Sequence, residues 1–281
     1  MHLNMKKKKT ISVVGCGWLG LPLAKKFVEN GFIVKGSTTT SSKLDSIRSC
    51  GIEPHLFKLN PNEDSFDMGL FDAEVLIVNI PPSRKIDNIQ EYYPEQIATV
   101  LSLAKKGTID YILFVSSTSV YPDKNRAMSE TDTDPSNTKK AGKAILEAEK
   151  VLSDQFGLNL TILRLCGLYG PNRHPGRFLA AKKLNSHPRD RVNMIHQADC
   201  VNIILRIVLD NIWGETLNAC SGIHPEKESF YHLATKSLGL IPPQFNSEAH
   251  PSTRTIDSSK LKRLISYDMI YPNPIEWIKK K

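Results

Sequence analysis

Three glycines, Gly15, Gly17 and Gly20, stand in the run GCGWLG between a set of β-formers at residues 11–14 and an apolar stretch with helical spacing. In that order each glycine answers a different steric demand. Gly15 lets the chain turn sharply, Gly17 lets the backbone approach a pyrophosphate, and Gly20 lets the helix pack closely on its strand. Backbone N–H groups of the first helical turn, reached through Trp18 and Leu19, then face an anion together with the positive end of the helix dipole. A glycine-rich loop alone could be an ordinary turn. The strand before it and the helix after it make this one a dinucleotide-phosphate site.

A second strand at residues 32–34 completes a β-α-β unit. An NAD site places an Asp or Glu near the end of that strand, to accept hydrogen bonds from the adenosine ribose. Here the chain reads KGSTTTSSK over residues 35–43, with no carboxylate before Asp45. Hydroxyls at Ser37, Thr38 and Thr39, with Lys43 nearby, suit a 2′-phosphate better than a bare diol, which favours NADP over NAD. The alternative is that these hydroxyls cap the next helix.

The elements that must position this loop alternate along the chain. Strands are expected at residues 52–59, 74–79, 111–115, 159–164 and 216–219, and helices at residues 18–30, 92–106, 141–156, 199–209 and 225–238. Continuous apolar strands separated by helices predict a parallel sheet covered on both faces, with ligands beyond the carboxyl ends of its strands. The fold class is α/β: a Rossmann-type doubly wound parallel sheet with a small C-terminal substrate lobe. Residues 1–165 form the dinucleotide-binding domain, and residues 166–281 a smaller substrate and lid lobe interleaved with the end of the sheet. Residues 170–191, rich in Pro, Arg, Lys and His, read as an insertion or lid.

The 281 residues are 40% hydrophobic and 23% charged, the composition of a globular protein. Seven of the eight net positive charges come from Lys6 to Lys9 and Lys279 to Lys281, so the body is nearly neutral and the basic tails read as solvated and frayed. That excludes a nucleic-acid groove, which needs Lys and Arg clustered on a folded face with stacking aromatics. Five cysteines without CxxC spacing indicate neither a disulfide framework nor a metal site, and read as reduced thiols in a cytoplasmic protein. No apolar run approaches the ~20 residues that span a membrane.

Further motifs carry a resemblance. VSSTSVY at residues 115–121, the P-x7-K-x3-E stretch ending at Lys143 and Glu147, LRLCGLYGP at residues 163–171 and NMIHQAD at residues 193–199 accompany the glycine loop. Together they resemble an extended short-chain dehydrogenase/reductase of the NAD-dependent epimerase/dehydratase group, over nearly the whole chain. RHPGRF at residues 173–178 and PPQF at residues 242–245 point to its atypical YeeZ-like branch.

The resemblance implies that Ser117 binds the reacting oxygen and that Lys143 orients the nicotinamide ribose, with the cofactor lying over residues 15–20. The family's acid/base tyrosine falls on Lys139, so the YxxxK signature is broken. Tyr121, Tyr169 and His174 are candidates for the displaced role or for substrate contact. Arg173 and Arg177 could clamp a phosphate or carboxylate, with His174 as one more donor. Asp199 is expected to cap a helix and Ser116 to bond backbone. The implied activity is NAD(P)-dependent oxidoreduction, epimerisation or dehydration of a small, sugar-like or anionic substrate. The competing reading is a non-catalytic NAD(P)-binding redox sensor. The resemblance also implies a homodimer paired through the helix at residues 141–156.

Overall fold

A computed structural model describes residues 9–59, 67–83 and 86–280. Of the basic tails, Lys6 to Lys8 and Lys281 lie outside the described residues, whereas Lys9 is tied down, its ammonium donating to Asn211 Oδ1 at 3.0 Å.

The strands are β1 (Thr10–Val14), β2 (Ile33–Thr38), β3 (Glu53–Leu56), β4 (Val75–Val78), β5 (Tyr111–Ser117), β6 (Ala127–Met128), β7 (Leu160–Leu165), β8 (Gly167–Tyr169), β9 (Met194–His196), β10 (Thr216–Ala219) and β11 (Thr255–Ile256). The helices are α1 (Gly20–Glu29), α2 (Leu44–Arg48), α3 (Ile89–Lys106), α4 (Lys140–Phe156), α5 (Gly176–Leu179), α6 (Gln197–Leu209), α7 (Lys227–Lys236), α8 (Ser259–Leu264) and α9 (Pro274–Lys279).

Seven strands form one sheet in the order β10-β7-β5-β4-β1-β2-β3. The pairs from β3 through β5 are parallel, with Ile11 opposite Val34 on one side and Val75 on the other. This is the expected doubly wound α/β arrangement, and its order reverses between β1 and β4. Residues of β4 are buried throughout, as a strand covered on both faces requires. Helix α1 turns Leu23, Ala24 and Phe27 into the core, each fully buried. Burying a Leu or Phe side chain contributes about 1.5–3 kcal/mol, so α1 is held by its packing.

Two compact units make up the chain. The first comprises residues 1–116, 144–162 and 207–215, and the second residues 117–143, 163–206 and 216–281. The second unit adds two small parallel pairs, β8 with β9 and β6 with β11. Its own core gathers Tyr169, Val192, Met194, Phe230, Ala234, Trp277 and Ile278. Helix α5, within the segment read as an insertion, packs on α7 so closely that a side chain at Gly176 would run into the Ala234 carbonyl. Among the described residues, no helix is long and apolar enough to cross a membrane.

The expectation of five free thiols is corrected. Cys166, just past β7, and Cys220, just past β10, pair as a disulfide with Cα atoms 5.2 Å apart. Fifty-four positions separate them in sequence, so spacing gave no sign of a pairing that the sheet creates by setting two strand ends side by side. Cys16, Cys50 and Cys200 are free.

Candidate functional site

The first unit carries the glycine loop at the point where the strand order reverses. Gly15 has φ +101°, a conformation that side chains rarely adopt, and a Cβ there would strike the Asn79 carbonyl. At Gly20 a Cβ would run into the Gly15 carbonyl, so the helix can start where it does only with glycine. Over Gly17 the space is open, with nothing within 4 Å of where its Cβ would be. The three positions thus have the steric characters that a bound diphosphate requires: a turn, an open approach and a close packing.

Neighbouring strands brace the loop. Asn79, at the end of β4, donates from Nδ2 to the Gly15 carbonyl at 3.0 Å. Ser37 Oγ accepts from the Gly15 N–H at 2.9 Å, and the Cys16 N–H donates to the Ser37 carbonyl at 2.8 Å. Cys16 tucks its sulfur against Gly36, where any side chain would collide with it. Burial pushes the Cys16 thiol up to about 12, so this sulfur is inert packing. Among the described residues no side chain caps the start of α1, and its first turn holds no acidic residue, so its positive end favours an anion.

The hydroxyls read as a 2′-phosphate site divide. Ser37 serves the glycine loop, and Thr38 Oγ1 accepts from the Thr40 N–H at 3.2 Å. Thr39 and Lys43 are exposed. Asn79 was missed because a lone Asn after a strand carries no pattern of its own.

The second unit carries the other candidates. Ser117 ends β5, and its Oγ accepts from the Ser119 N–H at 3.1 Å, leaving its own proton to donate elsewhere. The start of α4 lies against this turn. A side chain at Gly142 would strike the Ser119 carbonyl, and Thr138 Oγ1 donates to the Val120 carbonyl at 2.9 Å. This contact holds Lys143, one helical turn in and half-buried, on the same small assembly as Ser117. Among the described residues no partner engages the Lys143 ammonium. Lys139 is exposed just before α4, and its carbonyl accepts the Lys143 N–H at 3.0 Å.

Tyr121 is buried in a polar network. Its hydroxyl donates to Asn218 Oδ1 at 2.6 Å and accepts from Arg164 at 2.9 Å, and Glu130 accepts the Asn218 N–H. Burial raises its pKa against the opposing pull of Arg164. Tyr169 is fully buried, edge-on to His196 and Trp277, and burial likewise raises it. His174 accepts the Gly176 N–H through Nδ1, which assigns its proton to Nε2, and burial followed by the Arg177 charge lowers its pKa and keeps it neutral. Arg173 and Arg177 are exposed, with Arg173 donating to the Leu168 carbonyl and lying over the Phe178 ring.

Two expectations are corrected. Asp199 does not cap α6: its carboxylate accepts from Tyr267 Oη, Ile270 N and Tyr271 N, while His196 Nδ1 takes the Ala198 N–H. Ser116 bonds a side chain, donating to Glu149 at 2.6 Å inside the first unit, where the buried carboxylate offers a stronger acceptor than backbone. Among the described residues no cluster of His, Cys, Asp and Glu is placed to hold a metal ion.

A parallel sheet whose first strand passes through a three-glycine turn into an uncapped helix defines a Rossmann-type α/β protein. Comparison with known proteins narrows the class. Residues 84–208 match the model of the NAD dependent epimerase/dehydratase family. Protein YeeZ of Escherichia coli K12 is 35% identical over 271 residues, covering 95% of this chain and 98% of YeeZ. A conserved protein of unknown function from Silicibacter pomeroyi superposes with a TM-score of 0.74 at 21% identity, covering 97% of this chain and 98% of that one. UDP-glucuronic acid 4-epimerase from Bacillus cereus, solved with NAD, does so with a TM-score of 0.75 at 20% identity, covering 96% and 99%. The chain belongs to the NAD dependent epimerase/dehydratase family, with YeeZ among its relatives.

Proposed function

We propose that the glycine loop binds the diphosphate of a nicotinamide dinucleotide and that the protein transforms a small sugar-like or anionic molecule, of the kind that the UDP-sugar epimerases of similar fold are named for. The observation that carries this reading is the open face of Gly17 beside the uncapped start of α1, between a Gly15 and a Gly20 that tolerate no side chain. Gly15, Gly17, Trp18, Leu19 and Gly20 would line the diphosphate. Thr39 and Lys43 would meet a 2′-phosphate, the basis for preferring NADP, with Ser37 and Thr38 shaping the loop beneath. When bound, the nicotinamide would supply hydride transfer. Ser117 has a proton free to donate to a substrate oxygen, Lys143 offers an ammonium to ribose hydroxyls, and Arg173 and Arg177 present guanidinium groups to an anion.

The lysine at position 139 favours a second reading, a dinucleotide-binding sensor without turnover, because a phenol is the group that the family's proton transfer uses there. Titration with NADH and with NADPH, followed by tryptophan emission and energy transfer to the nicotinamide, tests the site, and Trp18→Phe identifies the reporting residue. Saturable binding that Gly17→Val removes is expected. Equal binding by Gly17→Val overturns the loop assignment. With binding in hand, turnover of any member of a UDP-sugar panel supports the enzyme, and a silent panel supports the sensor.

A further inference from the structure

The disulfide between Cys166 and Cys220 has a chemical setting that neither the fold nor the proposed function uses. Both residues are buried, at 3% and 1% exposure, and both lie at strand ends in the second unit. Cys220 forms part of the wall of a cleft of about 190 Å³, lined also by Ser221, His224, Asp257, Ser259 and Lys262. That volume is below the range of pockets that bury a whole drug-sized ligand, so the cleft has room for the thiol end of a small molecule and none for the active site of a protein reductase. Cys166 does not line that cleft, and the Thr118 hydroxyl donates to its sulfur at 3.8 Å. The two residues are thus unlike: Cys220 lines a cleft, and Cys166 lies beside a hydrogen-bond donor.

We propose that this pair is a site of thiol–disulfide exchange with small thiols, entered from the cleft at Cys220. A small-molecule thiolate attacks Cys220 Sγ. The new sulfur–sulfur bond forms as the Cys166–Cys220 bond breaks, and the electron pair leaves on Cys166 Sγ, where the Thr118 hydroxyl stands to donate to it. A second thiolate then attacks the small molecule's sulfur in the mixed disulfide and releases Cys220. One protein disulfide and two small thiols become two protein thiols and one small disulfide, and the two protons given up by the reagents end on Cys166 and Cys220. The exposed Lys262 ammonium attracts the incoming thiolate.

The placement gives the exchange a consequence. Thr118 directly follows Ser117, so opening the disulfide changes the partner of a hydroxyl adjacent to a candidate substrate-binding group. The exchange itself does not depend on that role.

The protein, purified without reductant, is exposed to glutathione under native conditions, quenched with acid, denatured and labelled with a maleimide. Before treatment three labels are expected, on Cys16, Cys50 and Cys200. After treatment five are expected, the two new ones mapping by peptide mass to Cys166 and Cys220, with circular dichroism unchanged. Reoxidation by glutathione disulfide should restore three. Lys262→Gln should slow the native-state exchange roughly two- to fivefold at low ionic strength and leave the rate in denaturant unchanged. Five labels in the untreated protein, or reduction only in denaturant, would overturn the proposal. An unchanged rate in Lys262→Gln would remove the cleft as the entry.

Discussion

The carboxylate of Asp199, fully buried near the start of α6, accepts the Tyr267 hydroxyl at 2.6 Å and, with the N–H groups of Ile270 and Tyr271, holds the segment that leads into α9. One acidic side chain thereby ties residues some seventy positions apart. Desolvation raises its pKa, and three donated hydrogen bonds oppose that rise, so the ion stays buried because each donor aims at it. Beyond it α9 brings Trp277 against Tyr169, His174 and His196. The C-terminal segment is therefore an integral part of the second unit's core.

Tyr267→Phe removes the phenolic donor and leaves two backbone N–H groups on the carboxylate. A hydrogen bond to a charged group contributes about 1.5–3 kcal/mol. The loss should fall near the lower end, because Tyr267 is only partly buried and water can replace its hydroxyl. Urea denaturation of the two proteins at neutral pH measures the difference, and equal midpoints would show that the bond contributes nothing. Asp199→Ala should cost more, since it strands all three donors.

Acid should loosen the loop that precedes α4. Hydrogen bonds from Ser136 and Asn137 hold the Asp134 carboxyl down at about 2, from an ordinary value of 3.8. Its folded pKa lies below its unfolded one, so its contribution is complete above pH 4 and is lost as pH falls toward 2. Asp67, lowered chiefly by its hydrogen bond from His55, contributes with the same sign. Asp199, raised by burial, has the opposite sign: protonation favours its folded form, and its contribution grows as pH falls. Unfolding free energies at pH 6 and pH 3 should therefore differ less for Asp134→Ala than for the parent, and an equal difference would rule out Asp134 as a source of the acid slope.

What could be read from the sequence follows from range. The β-α-β unit, the strand alternation and the glycine loop are local patterns, and each stands close to where periodicity put it. Strand β2 runs on to Thr38, past the expected end at Val34, because residues 35–38 pair with β3, and Gly36 makes room there for the Cys16 sulfur. Pairs of two- and three-residue strands such as β6 with β11 have no period to detect. The roles of Asn79, Asp199, Cys166 and Cys220 arise only when distant segments meet, so residue type and spacing could not disclose them.

Gly17 and Gly20 should respond oppositely to substitution. Alanine at Gly20 drives a Cβ into the Gly15 carbonyl and crowds Asn79 Nδ2, both part of a braced loop that cannot yield. A clash of this kind costs on the order of 1–3 kcal/mol. Alanine at Gly17 enters open space and should leave the melting temperature of the free protein within a degree or two, while lowering dinucleotide affinity by blocking the approach of the diphosphate. Thermal melts with and without NADPH separate the two effects. A destabilised Gly17→Ala, or a neutral Gly20→Ala, would contradict the assigned division of labour.

Lys43 tests the preference for NADP. It is exposed at the end of the turn that follows β2, with Thr39 exposed four residues before it. Ser37 and Thr38 are buried and their hydroxyls carry no charge, so a 2′-phosphate would depend on Lys43 for charge. Replacing Lys43 with Glu turns an attraction into a repulsion toward the extra phosphate. For an exposed site at physiological salt this amounts to about 1 kcal/mol or somewhat more, a loss of roughly fivefold to twentyfold in NADPH affinity. NADH lacks that phosphate and should lose no more than about twofold. The contrast should shrink as salt is raised, because the Debye length contracts and the charge is screened. Equal losses for the two cofactors would remove Lys43 from the ribose end of the site, and a parent protein that binds NADH more tightly than NADPH would overturn the preference itself.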